Sequence, residues 1–343
     1  MADGGLRERL GVGPVICAEG YLFELERRGY LQAGAFVPEV VLEHPEVVAG
    51  LHREFVHAGS DVVQAFTYYA HREKLRLIGR EADLEVMNLQ ALRIAKEVAA
   101  ETGCLVAGDV CNTNVFVPGD ASTVASARDM FEEQVGWAAD AGVDFVIAET
   151  FSWDEEARLA LEVITAAGLP AVVTLAIHRD PRTWNGRTPA EACRQLEEAG
   201  AAVVGLNCIR GPHTMLPLLE SIRAAVVGPM AALPVPYRTT PRQPTFQSLR
   251  DAEAPDVMPF PTALDPFTCT RDEMGRFASA AYAIGVDYLG VCCGAGPHHI
   301  RSVAEAIGRT PPASRYRADM SKHAYFGTDP AIAAEQRDHA TKL

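Results

Sequence analysis

The sequence predicts a (β/α)8 TIM barrel. Eight short apolar, β-branched runs recur along the chain, segments of helical spacing lie between them, and the eight units fill about 300 residues, the usual extent of that architecture. The runs are continuously apolar and do not alternate, as strands covered on both faces are, so the sheet is expected to be parallel. In order, VICAEG (15–20) opens the barrel and DVVQAFT (61–67) follows. DLEVMNLQALRIAKEVAAETG then reads as a helix closing on glycine, a common helix end. LVAGDV (105–110) is the third strand, ARDMFEEQVGWAADAG the next helix, and FVIAET (145–150) the fourth strand. AVVTLAI (171–177) is the fifth, and the helix PAEACRQLEEAG leads to AVVGLNC (202–208). MAALPV (230–235) and DYLGVCC (287–293) complete the set. Between these two, residues 237–268 are rich in proline and too long for a simple β7–α7 connection, and ordered loops of that length are usually functional. Residues 1–311 are assigned to the barrel and 312–343, with few apolar anchors, to a C-terminal tail expected to be an oligomerisation arm. A doubly wound sheet is the alternative, but no GxGxxG or GxxxxGK[ST] follows any run.

The chain has 343 residues and 48% apolar composition, enough for a sizeable core. Its 45 acidic and 31 basic side chains give a formal charge of -14, which disfavours nucleic acid as a partner. No apolar run follows a basic patch at the amino terminus, and nowhere do about eighteen apolar residues follow one another, so no membrane span is expected and the location is read as cytoplasmic. Eight cysteines are too sparse for a cross-linked scaffold.

Barrels of this kind carry their chemistry at the carboxyl ends of the strands. Glu19, Thr67 with Tyr68 and Tyr69, Asp109 with Cys111, and Glu149 stand at the first four ends. His178, Asn207 with Cys208, Tyr237, and Cys292 with Cys293 stand at the other four. Strands six and eight are one strand apart, so Cys208 can converge with the adjacent pair Cys292 and Cys293. Three thiolates suit Zn2+ and leave the fourth tetrahedral position open. Neighbouring strand residues face opposite ways, so sharing one ion needs a backbone bend, which Gly290 and Gly294 would ease. The residues alone leave two other readings open: an adjacent-thiol redox switch, and plain packing. Cys17, Cys104, Cys193 and Cys269 read as packing thiols, Cys111 has no partner that spacing identifies, and His178 is a ligand, an acid–base group or a polar loop residue.

VVGLNCIRGP (203–212) and YLGVCCGAGPHHIRSVAEAI (288–307) resemble the two zinc-binding motifs, GxNC and GGCCG, of the homocysteine S-methyltransferase family. The stretch from 23 to 70, and DFVIAETFSWDEEA (144–157), resemble its betaine-dependent members most. The resemblance implies Zn2+ on Cys208, Cys292 and Cys293. It implies a small thiol, homocysteine foremost, gripped by Glu149, Glu19, Gly20 and Asn207, and an onium methyl donor against Phe36, Tyr68 and Tyr69, since aromatic faces recognise such cations. The zinc-bound substrate thiolate would be the nucleophile, so no protein general base is required. A homo-oligomer is implied as well.

Departures from the family pattern bear on the substrates. Ala18-Glu19-Gly20 stands where the family has Asp-Gly-Gly or Asp-Gly-Ala, which displaces a carboxylate of the thiol site by one residue. Phe36 and Thr150 stand where the betaine-dependent enzymes carry tryptophan and tyrosine, and GVCCG replaces GGCCG. A sulfonium donor or a different thiol is therefore the first alternative, and a non-catalytic zinc-binding or thiol-redox barrel the second.

Overall fold

The computed structural model describes residues 5–342. Eight parallel strands close into a barrel in chain order: β1 (Val15–Ala18), β2 (Val62–Gln64), β3 (Leu105–Cys111), β4 (Phe145–Phe151), β5 (Ala171–Leu175), β6 (Val203–Asn207), β7 (Met230–Leu233) and β8 (Tyr288–Val291). Closure runs from Val15 opposite Tyr288 to Ala18 opposite Val291. All the strand residues are buried, which is why their sequences are continuously apolar.

A helix follows each strand, from Pro45–Ala58 after β1 to Pro297–Ala306 after β8. The glycine-closed segments are helices Leu84–Thr102 and Ala121–Ala141, ending on left-handed Gly103 and Gly142. The second begins at Ala121 and not near Ala127 because the Asp120 carboxylate accepts from the N–H groups of Ser122 and Thr123. Three aspartates just ahead of strands lock the opposite rim. Asp61, Asp144 and Asp287 accept from the N–H groups of Ile16, Val106 and Met230 on the preceding strands, at 2.8, 2.7 and 3.3 Å.

Several apolar runs extend past the strands they contain. Glu19, Cys208, Cys292 and Cys293 lie beyond the ends of β1, β6 and β8, because the ladder stops where the chain turns over the barrel mouth. The 237–268 loop is pinned at its base by a bridge between Tyr237 and Thr268. After Pro311, a short turn at Pro312–Tyr316 packs on helix Pro45–Ala58, and the tail exposes Tyr316, Met320 and Phe326. No described helix is long and apolar enough to cross a membrane.

Candidate active site

The three thiols are brought together by two turns. After β6, Cys208 and Ile209 adopt φ of 54° and 58°, and the Cys208 N–H donates to the Leu233 carbonyl of β7 at 2.9 Å. After β8 strand alternation no longer applies, and Cys292 N–H donates to the Pro234 carbonyl at 2.9 Å. The three sulfurs lie within 4.8 Å of one another, with Cys292 Sγ and Cys293 Sγ 3.9 Å apart. Two thiolates bound at about 2.3 Å to one tetrahedral ion stand about 3.8 Å apart, so the donor set fits zinc. Cys208 is pushed well below the usual thiol range by hydrogen bonds from Cys292 and Cys293. Burial pushes Cys292 up, and the bond to Cys208 pushes Cys293 up. The cluster thus already favours one negative charge.

Of the two bracketing glycines only Gly294 makes the bend, at φ 92°. A Cβ there would stand 2.2 Å from Tyr237 Oη. Arg27 clamps this turn, donating to the Gly294 carbonyl at 3.0 Å and to Tyr237 Oη at 2.9 Å. Gly290 serves packing instead. It lies within β8, where a Cβ would come within 1.9 Å of the Cys17 carbonyl of β1.

One side of the sulfur cluster is acidic. Glu19 and Glu149 each have an oxygen within 4.8 Å of Cys292 Sγ, and Asn207 links them, its Nδ2 lying 3.2 Å from Glu19 Oε2 and 2.7 Å from Glu149 Oε2. Gln64 Nε2 donates to Glu149 Oε1 at 2.8 Å and Thr150 Oγ1 to Oε2 at 2.9 Å. A register shift in the β4–β5 pairing and a φ of 63° at Thr150 let its N–H donate to Asn207 Oδ1 at 2.9 Å. Burial pushes Glu149 up to about 7, and Glu19 and Asp109 well above the carboxylate range. Glu19 Oε1 and both Asp109 oxygens have no hydrogen-bond partner among the described residues. The shift of the acid from position 18 to 19 does not remove it from this group, because β1 ends at Ala18 and Glu19 already lies on the turn, its N–H donating to Val291 O. Gly20 packs tightly, its Cβ position being 2.6 Å from the Ala295 carbonyl.

The other side is aromatic. A cavity of about 250 Å³ is lined by Cys208 and Cys293 together with Phe36, Tyr68 and Tyr69. Among the described residues, all six non-glycine residues with positive φ, Phe36, Tyr69, Asn114, Thr150, Cys208 and Ile209, line it. Strained backbone concentrates at functional sites, and here it picks out one pocket. Tyr68 and Tyr69 rings are 4.3 Å apart, and Lys74 Nζ already sits 4.0 Å from the Tyr69 ring centre. Larger depressions, up to about 900 Å³, lie among the outer helices and hold none of the cysteine cluster.

Some lining residues escape sequence reasoning. Phe246 and Phe260 come from the 237–268 loop, 4.9 Å apart and both near Phe23, so the length of that loop was the available signal. Gln64 carries no motif of its own and is found only through its bond to Glu149, whereas Thr150, singled out in sequence as a departure from tyrosine, gains its bond to Glu149 only in the structure. His178 lines the aromatic pocket and Cys111 stands outside the thiol cluster, accepting the Tyr69 N–H at 3.3 Å.

A parallel barrel that gathers three thiols at its carboxyl mouth, beside paired carboxylates and an aromatic pocket, has a donor set that could hold a metal ion. The homocysteine S-methyltransferase family model matches residues 3–307, and the chain belongs to that family of methyltransferases. Over 99% of its length it is similar to betaine–homocysteine S-methyltransferase 1 of Danio rerio, at 38% identity and covering 86% of that protein. Over 98% it is similar to an S-methylmethionine–homocysteine S-methyltransferase of Pongo abelii, at 35% identity and covering 91% of it. The homocysteine methyltransferase MmuM of Escherichia coli, in its metallated form, shares the fold with a TM-score of 0.68 at 19% identity, over 87% of this chain and 98% of that one.

Proposed function

We propose that this protein transfers a methyl group from a small betaine-like onium compound to a thiol, homocysteine foremost, with Zn2+ held by Cys208, Cys292 and Cys293. The carrying observation is where the sulfurs stand. Cys292 belongs to one cluster with Glu19 and Glu149, whereas Cys208 and Cys293 line the aromatic pocket. Two substrates of different chemistry can therefore reach the same three sulfurs, one at the carboxylates and one at the rings.

Zn2+ bound there would supply a low pKa for a thiol in its fourth position while keeping that sulfur electron-rich. The protein's own groups do the rest. Glu149 and Glu19, joined through Asn207, offer buried carboxylates to the ammonium group of an amino-acid thiol, and such charge-assisted bonds are the strong ones. No lysine or arginine is among the residues lining the aromatic pocket, but Lys74 Nζ stands 4.0 Å from the Tyr69 ring centre, which leaves Phe36 and Tyr68 as the rings open to a cationic donor. The rings hold the onium group by their faces and exclude water. In the transfer a sulfur–carbon bond forms as the bond from carbon to the onium atom breaks, the electron pair leaving with the neutral product. No proton moves in that step, so no general base is needed from the protein. Residues 1–311 form the catalytic unit in this reading, and residues 312–343, with Tyr316, Met320 and Phe326 exposed, an arm joining copies of the chain. Three reactive thiols favour a reducing, cytoplasmic setting.

Zinc analysis and a methyl-transfer screen test the reading. The screen crosses glycine betaine, dimethylsulfoniopropionate and S-methylmethionine with homocysteine and other thiols. One zinc per chain, lost in Cys208→Ala and Cys292→Ala, and methylation of homocysteine are expected. Protein without zinc, or with zinc that survives both substitutions, overturns the metal site; transfer only to another thiol overturns the acceptor.

A further inference from the structure

The aromatic pocket accounts for the cationic end of a donor and leaves its other end unassigned. Among the residues lining the cavity, His178 alone has a side chain able to carry a positive charge. It is held in place from three directions. Its ring stacks on Trp184, centroids 5.2 Å apart and planes 25° from parallel. Its Nε2 is 2.8 Å from Ser152 Oγ, a residue that follows β4. Its carbonyl oxygen accepts from the guanidinium of Arg210, which also donates to the Ile177 carbonyl at 2.9 Å. Arg210 is itself buried and lies two residues beyond Cys208, so the chain that carries a cluster thiol also fixes the loop that carries His178. Nδ1 of His178 makes no hydrogen bond among the described residues. Among the described residues no carboxylate hydrogen-bonds this imidazole, so the Ser152–His178 pair lacks the third member of a hydrolytic triad.

We propose that His178, braced by Trp184 and Ser152, is a specificity residue that binds the carboxylate tail of the methyl donor, restricting the enzyme to onium compounds that carry one. The inference rests on the methyl-transfer reading and names the donor class. The donor in the Ser152 Oγ–His178 Nε2 bond depends on the tautomer; in the tautomer where Ser152 donates, the neutral imidazole has its one N–H on Nδ1, the nitrogen left without a partner among the described residues. A donor tail accepting that hydrogen bond lies in a pocket whose other polar lining residues, Asn112, Asn114, Thr150, Ser152 and Gln247, are all uncharged. A tailless onium cation gains the ring contacts and nothing from His178.

The test compares glycine betaine and dimethylsulfoniopropionate with trimethylsulfonium, which has no tail, in wild type, His178→Ala and His178→Gln. Losing one hydrogen bond to a charged group corresponds to about a 10- to 100-fold change. His178→Ala is expected to raise KM for both carboxylated donors by that factor, with kcat, the homocysteine KM and the trimethylsulfonium KM little changed; His178→Gln, which keeps an N–H, should recover part of the loss. Equal loss with tailed and tailless donors, or none with either, overturns the proposal. Tryptophan fluorescence on titration with glycine betaine, with Trp184→Phe as control, gives a second readout that needs no turnover. A titration midpoint unmoved by His178→Ala also overturns it. If no thiol is methylated by any donor, the proposed function fails, and the titration still decides the role of His178.

Discussion

In the proposed metal site, Gly294→Ala isolates the turn that would let two adjacent cysteines share one ion. An L residue in the left-handed region is strained by about 1–2 kcal/mol. The new methyl would also stand 2.2 Å from Tyr237 Oη, so the phenol must move and Arg27 loses a hydrogen bond that now spans 2.9 Å. A bond to a charged group contributes about 1.5–3 kcal/mol. Together these give about 3–5 kcal/mol, and if the strain falls on the turn carrying Cys292 and Cys293, zinc affinity drops between about 10²- and 10⁴-fold, at 1.4 kcal/mol per factor of ten. Competition against a chromophoric chelator measures it, with thermal unfolding alongside to confirm that the barrel is intact. Tyr237→Phe in the same background removes the colliding hydroxyl but leaves the ring carbons 2.6 and 2.9 Å from the new methyl and the Arg27 bond unmade, so it should restore only a minor part of the loss. Zinc binding by Gly294→Ala within twofold of wild type would refute the idea that this turn's geometry assembles the site.

Three further outcomes follow from the same geometry. Burial raises Glu149 to about 7, which means the folded protein favours its protonated form; the stabilisation is present below its unfolded value near 4.5 and lost as pH rises through 7. Through Glu149 alone, metal-free protein should therefore weaken by about 3 kcal/mol between pH 5 and 8 in urea denaturation, and Glu149→Gln should remove that share of the fall while Glu19 and Asp109 keep theirs; an unchanged slope in the variant contradicts the assignment. Phe246→Ala, which removes a buried ring packed on Tyr237, Phe23 and Phe260, should lower stability by about 3 kcal/mol and raise the donor KM without moving the thiol KM, and equal changes in both constants would place the ring outside the donor pocket. Truncation after Pro311 should reduce the assembly in light scattering and leave zinc content intact; an unaltered mass removes the tail from the interface.

The barrel was legible in the sequence because burial on both faces forces continuous apolar runs, and those runs fall on all eight strands. The convergence of Cys208, Cys292 and Cys293 could be found as well, since their motifs mark them and the order of strands brings six and eight near each other. Strand ends were less visible, because Glu19 or Cys208 looks like part of an apolar run until the ladder stops. What the tertiary structure alone decided is how side chains distant in sequence meet. Glu19, Gln64, Glu149 and Asn207 come from four different strand ends, and no spacing in one dimension records that a single amide links two of their carboxylates. Gly290 and Gly294 look alike in sequence, yet one yields to a neighbouring strand and the other turns the chain, since a missing Cβ can answer either a close contact or a positive φ. His178 shows the same limit: a loop histidine by its neighbours in the chain, it becomes part of the pocket only because Trp184, Ser152 and Arg210 hold it there.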